Sequence, residues 1–128
     1  MNLLLDTHSL LWFVLEDPRL SAKARKSIDS KDGLIFISPA SLWEIAIKIS
    51  IGKYILPFPF ESFWDEQMRI NNFSLLSITL SHAARIASLP FHHRDPCDRL
   101  IIAQSIEEDM AVVSHDISFD LYGVNRIW

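Results

Sequence analysis

The chain has 128 residues, 49% of them hydrophobic and 22% charged, with a formal net charge of 12 − 16 = −4. This composition suits one folded domain over residues 1–128 and excludes a disordered chain. The acidic balance argues against a basic protein that coats nucleic acid, but not against a nucleic-acid enzyme whose carboxylates gather around a cation.

Leu10 to Leu15 is the longest apolar run. It falls far short of the roughly 20 residues that a membrane span needs. No Lys or Arg precedes it, and Asp6 and His8 interrupt the apolar start, so no secretory signal is expected. Cys97 is the single cysteine, which suits a reducing cytosol, and a cytoplasmic place is expected.

Met1 to Leu5 reads as a buried strand ending at Asp6, and Thr7 to Leu15 as a helix with Thr7 as a possible cap. Leu20 to Ser30 has helical spacing, with Lys23, Arg25 and Lys26 on its wet side. Leu34 to Ile37 is a second strand. Ser38-Pro39 then supplies an N-cap and a proline at the first helical position, for a helix from about Ala40 to Ile51 closed by Gly52. Tyr54 to Phe60 is irregular. Phe60, Phe63, Trp64 and Met68 share one helical face. Phe73 to Ile78 reads as a strand and Thr79 to Leu89 as a helix stopped by Pro90. Asp95-Pro96 opens a helix to about Asp109, and Ala111 to Ser114 and Val124 to Trp128 complete the strands. Short apolar strands alternating with helices predict an α/β fold, a three-layer α/β/α sandwich around a central, mainly parallel sheet.

In such sheets, sites form beyond the carboxyl ends of the strands. Asp6 ends the first strand. Glu44 lies in the second turn of the helix after the second strand. Asp98 lies in the first turn of its helix, and Asp116 lies two residues past Ser114. Crowded carboxylates repel one another, and hard divalent cations relieve that repulsion. Plainer readings stand beside this one. Asp6 can cap the turn after its strand. Glu44 can pair with Lys48 at i+4, although its helix is apolar nearly all round and should be largely buried. Asp95 and Asp98 fit the N-cap and third positions of their helix. Asp116 and Asp120 lie in a polar loop, where Asp is ordinary. The histidines form no convincing set. His92 and His93 are adjacent and are expected as exposed loop residues, while His8 and His115 neighbour Asp6 and Asp116.

In order along the chain, Leu-Leu-Leu-Asp6-Thr-His, Leu-Trp-Glu44-Ile-Ala-Ile-Lys, Asp98-Arg-Leu-Ile-Ile-Ala-Gln and Val-Val-Ser-His-Asp116 resemble the PIN domain, a family of metal-dependent ribonucleases. Leu-Asp-Thr-His-Ser-Leu-Leu-Trp, His-His-Arg-Asp-Pro-Cys-Asp-Arg and the ending Tyr-Gly-Val-Asn-Arg-Ile-Trp are similar to the VapC-type toxins of bacterial toxin–antitoxin pairs. Cys97 stands where related sequences usually carry Phe. The resemblance spans residues 3 to 128. It implies a site for Mg²⁺ or Mn²⁺, cleavage of RNA, homodimers, and inhibition by a small antitoxin protein. Asp6, Glu44, Asp98 and Asp116 carry over as catalytic metal ligands. Asp95 is a cap or assists a ligand, Ser114 holds a water or Asp6, and Thr7 stands behind the ligands. Lys48, Arg94 and Arg99 are candidate phosphate contacts, with Lys48 also able simply to balance nearby carboxylates.

Two rival functions are weaker. A non-catalytic α/β interaction module predicts a broken acidic set, and here it is complete. Aspartyl-phosphate chemistry wants a second Asp two residues after Asp6, where this chain has His8. The aromatic residues Trp12, Phe13, Trp43, Tyr54, Phe58, Phe60, Phe63 and Trp64 exceed what a small core needs; some are expected to pack on the protein's own sheet and part of this surface to form a groove for the antitoxin.

Overall fold

The structure is a computed structural model and describes residues 1–30 and 32–128. Five strands form one sheet: β1 (Leu3–Leu5), β2 (Ile35–Ile37), β3 (Phe73–Leu75), β4 (Ala111–Val113) and β5 (Arg126–Ile127). Their order is β3-β2-β1-β4-β5, and every pairing is parallel. Leu3, Leu4 and Leu5 sit opposite Ile35, Phe36 and Ile37 on one side and Ala111, Val112 and Val113 on the other. Each strand is one to three residues shorter than its apolar run suggests. Beyond the strands the chain makes single flanking bonds, Leu3 N to Leu34 O at 2.9 Å and Leu76 N to Ile37 O at 2.8 Å, and then turns outward, so Met1, Leu34 and Ile78 are exposed.

The helices are α1 (Thr7–Val14), α2 (Ala22–Asp29), α3 (Pro39–Ser50), α4 (Phe60–Ile70), α5 (Leu80–Ser88) and α6 (Pro96–Glu108), with a 3₁₀ turn at Ile117–Tyr122. Side chains alternate across the central strands, so the sheet feeds two cores. Leu3, Leu5, Ile35, Ile37 and Val113 pack with Leu10, Leu11, Ala24, Ile28, Ile45, Phe63 and Trp64. Leu4 and Val112 pack with Leu89, Ile101, Ile102 and Phe119 on the opposite face. This is the expected three-layer sandwich.

Local chemistry explains the helix starts. Ser38 Oγ accepts from Ala40 N at 3.2 Å ahead of Pro39, and Thr79 shares a capping box with His82. Gly52, at φ +79°, takes the left-handed conformation just past α3. The cap of α1 differs from expectation: it is Asp6, not Thr7, and Asp6 Oδ1 accepts from Ser9 N at 2.9 Å. The expected burial of α3 also fails. Trp43, Ile47 and Ile51, spaced four apart, are 61%, 41% and 61% exposed. In α4, by contrast, Phe63 and Trp64 turn inward and are buried against the sheet's first core, so they offer no outer groove. Among the described residues, no helix is long and apolar enough to cross a membrane.

Candidate metal centre

Because all strands are parallel, the ends of β1, β2 and β4 open onto one edge of the sheet. Asp6 follows β1 directly, and Asp116 follows β4 by three residues. The N-terminus of α6 brings Asp95 and Asp98 to the same edge, and the second turn of α3 brings Glu44. Asp98 is the centre of this group. Its carboxyl is pushed up to about 8, first by burial and then by the charges of Asp6, Asp95, Glu44 and Asp116. Four other carboxylates therefore act on one.

Each is held differently. Asp6 is buried, and burial raises its pKa although Ser114 and Ser9 donate hydrogen bonds to it. Asp95 Oδ1 accepts from Asp98 N at 2.9 Å, so the α6 cap fixes the backbone that carries Asp98. Glu44 Oε1 accepts from Thr7 Oγ1 at 2.9 Å, and Glu44 Oε2 pairs with Lys48 Nζ at 3.1 Å. Burial disfavours the Asp116 charge, but hydrogen bonds from Ser118 and His93 outweigh it and hold that pKa low. The Cys97 thiol is pushed up to about 11 by burial and by Glu44, Asp95 and Asp98.

The donors fall into two groups that share no residue. Glu44, Asp95 and Cys97 bring ligand atoms within 4.8 Å of one another, and so do His93, Asp98 and Asp116. A depression of about 690 Å³ is lined by Asp6, His93, Asp95, Asp98 and Asp116 together with His8, Trp12, His115 and Ile117. A hard divalent cation suits the chemistry: several ionisable oxygens compete, and burial together with the neighbouring charges keeps a proton on Asp98 near neutral pH.

The structure brings Asp6, Glu44, Asp98 and Asp116 to the one edge, with Asp95, Ser114 and Thr7 in contact with that group. The three cations behave differently. Lys48 pairs with Glu44, which raises its pKa against the opposing effect of burial. Arg94 is exposed. Arg99 is not available to a phosphate. It is only 5% exposed, and its guanidinium donates to the carbonyls of Leu89 at 3.1 Å, Pro90 at 2.9 Å and His93 at 3.2 Å.

That clamp bears on a residue the sequence reading passed over. His93 is not a free loop histidine: its Nε2 lies 2.8 Å from Asp116 Oδ2 and 3.1 Å from Asp98 Oδ2. Asp95 N donates to its Nδ1 at 3.1 Å, and its own N–H donates to Tyr122 Oη at 2.8 Å. With Nδ1 accepting, the neutral ring carries its proton on Nε2 and donates toward the carboxylates. His92, its neighbour, is exposed and meets only the edge of Tyr122. Nothing local in one sequence separates the two.

A model of the PIN domain family matches residues 3–125. "Ribonuclease VapC22" of Mycobacterium tuberculosis is 34% identical over 116 residues, 90% of this chain and 87% of that protein. "Ribonuclease VapC16" of the same organism is 36% identical over 86 residues, 62% of this chain and 61% of that one. A chain in the crystal structure of VapBC2 from Rickettsia felis, bound to a DNA fragment from their promoter, superposes with a TM-score of 0.75 at 16% identity over the full length of both chains. A chain of VapBC-1 from nontypeable Haemophilus influenzae gives 0.69 at 13% identity, covering 98% of this chain and 96% of that one.

Proposed function

This chain belongs to the PIN domain family, and on that premise we propose that it is a metal-dependent endoribonuclease, the toxin of a toxin–antitoxin pair. The observation that carries the reading is Asp98, a carboxyl crowded by Asp6, Asp95, Glu44 and Asp116 at the mouth of a parallel sheet. An interaction module has no use for that repulsion. A phosphodiester hydrolase does, because the same oxygens can hold a divalent cation.

Asp6, Glu44, Asp98 and Asp116 would hold the ion, Mg²⁺ or Mn²⁺. When bound, it neutralises charge at the scissile phosphate and lowers the pKa of water for in-line attack at phosphorus. The chain supplies the rest. Ser9 and Ser114 orient Asp6, Thr7 orients Glu44, and Asp95 fixes the start of α6 under Asp98. Asp6 or Asp98 would take the proton of the attacking water, Asp98 only once a bound cation has displaced its own proton. The bond from phosphorus to the 3′ oxygen breaks, leaving 5′-phosphate and 3′-hydroxyl ends.

Two partners follow from the same reading. A cognate antitoxin segment would lie in the groove lined by Leu11, Trp12, Leu15, Tyr54 and Ile55 and place a cation in the acidic depression. A second copy of the chain would cover the apolar face around the cavity of about 570 Å³ lined by Trp43, Ile78, Ile86, Phe91 and Leu100.

The test is cleavage of end-labelled single-stranded RNA by the purified chain with Mn²⁺. Cleavage should stop with EDTA and with Asp98→Asn, and the products should carry 5′-phosphates. Equal cleavage by Asp98→Asn would remove the reading.

A further inference from the structure

The depression that holds the carboxylates is larger than an ion needs. At about 690 Å³ it is within the roughly 300–1,000 Å³ of small-molecule sites. Four of its nine lining residues lie outside the carboxylates and His93: His8, Trp12, His115 and Ile117. Three of these four are rings. His8 stacks on Trp12, with centroids 5.4 Å apart and planes 17° apart. His115 meets Trp12 at 6.3 Å and Trp128 at 5.1 Å, both edge-on, and Trp12 meets Trp128 at 5.9 Å. The Arg19 guanidinium lies 5.1 Å from the Trp12 ring.

This is a rigid cluster rather than a scatter of rings. Trp12 is half-buried, packed against the core, and flanked by His8, Arg19, His115 and Trp128. It serves as backing. His8 and His115 are exposed and stand forward of it. His8 lies two residues after Asp6, and His115 immediately precedes Asp116. Their contacts are with the Trp12 and Trp128 rings, and neither is tied up in an ion pair or a side-chain hydrogen bond among the described residues.

We propose that His8 and His115, backed by Trp12 and Trp128, form a stacking subsite for an unpaired nucleobase adjoining the phosphate that enters the acidic depression. The proposal rests on the ribonuclease reading and adds to it how the RNA is held: by a base face stacked beside the acidic depression. Aromatic platforms suit this role because every base has a π-face and a base in a duplex cannot offer it. A protein side chain is the poorer occupant, since the rings share one depression with groups suited to a metal-bridged phosphate.

The probe is an octaribonucleotide with 2-aminopurine at its fourth position and phosphorothioate at every linkage to block cleavage. Its fluorescence is read during titration with the chain in excess Mg²⁺. Wild type should bind and quench it. The double variant His8→Ala, His115→Ala should bind roughly 5- to 30-fold more weakly and lose most of the quenching, as removal of a base–aromatic stack does. Trp12→Phe should keep the quenching. Both histidines are exposed, so the double variant should melt with wild type. Equal affinity and quenching in wild type and the double variant would overturn the subsite while leaving the nuclease reading intact. If wild type neither binds the octamer nor cleaves unmodified single-stranded RNA with Mn²⁺, the nuclease reading fails and the subsite with it.

Discussion

Replacing Asp98 by Asn should stabilise the metal-free protein, and the gain should grow with pH. The carboxyl stands at about 8 in the fold against an ordinary 3.8. Between those values the folded chain keeps a proton that the unfolded chain has lost, so stability falls as pH rises through the window and is fully retained below it. Each tenfold change in proton affinity is about 1.4 kcal/mol, so the fold is disfavoured by about 5 kcal/mol at pH 8 through this one group. An Asn amide keeps the shape without the charge. It has its own desolvation cost, and the neighbouring acids relax, which leaves a net gain of about 3 kcal/mol at pH 8. For a chain of this size that is ~10 °C in the melting midpoint. At pH 5 the difference should shrink to about 1 kcal/mol or less. The assay is chemical denaturation of wild type and Asp98→Asn in EDTA across pH 5 to 8. Parallel curves, or a wild type whose stability rises toward pH 8 relative to the variant, would refute the crowding of Asp98.

Metal should reverse this pattern. Excess Mg²⁺ or Mn²⁺, at about 100 times its dissociation constant, should add about 2.7 kcal/mol to wild type, with more effect at pH 8 than at pH 6 because binding displaces a proton; coincident melts with metal and with EDTA at pH 8 would count against a clustered site. Arg99→Met should lower stability by about 2–4 kcal/mol, since it removes the guanidinium donor from the Leu89 and His93 carbonyls and leaves Pro90 only its bond from Tyr122 Oη, and denaturant midpoints would check it. Asp95→Ser should keep the α6 cap and most Mn²⁺ affinity, whereas Asp95→Ala should cost ~1 kcal/mol of stability. If Asp95→Ser bound Mn²⁺ as poorly as Asp98→Asn at unchanged stability, Asp95 would be a ligand rather than a cap.

The sequence carried the succession of strands and helices because its punctuation is local. Leu-Leu-Leu-Asp6 announces a buried strand and its end, and Ser38-Pro39 and Asp95-Pro96 announce helix starts. Convergence of the acids followed from parallel strands alone, since all their carboxyl ends share one edge. What failed depends on which neighbour is present. The apolar wheel of α3 suggested burial all round, but the sheet and α6 cover only part of it, and Trp43, Ile47 and Ile51 face out. Phe63 and Trp64 looked available for a partner and instead fill the first core. Arg99 reads as a phosphate-binding cation until the loop at Leu89 to His93 folds over it. His93 differs from His92 only by the direction its ring takes, which Tyr122 and Asp95 fix through space.

Calorimetric titration of Mn²⁺ into wild type and Asp98→Asn at pH 7.5 tests most directly whether these carboxylates act as one site. Wild type should bind with proton release, visible as a heat that changes with the ionisation enthalpy of the buffer, and Asp98→Asn should bind at least tenfold more weakly with that release gone. Equal affinity in the two proteins, with no proton release in either, would contradict a metal centre built around Asp98.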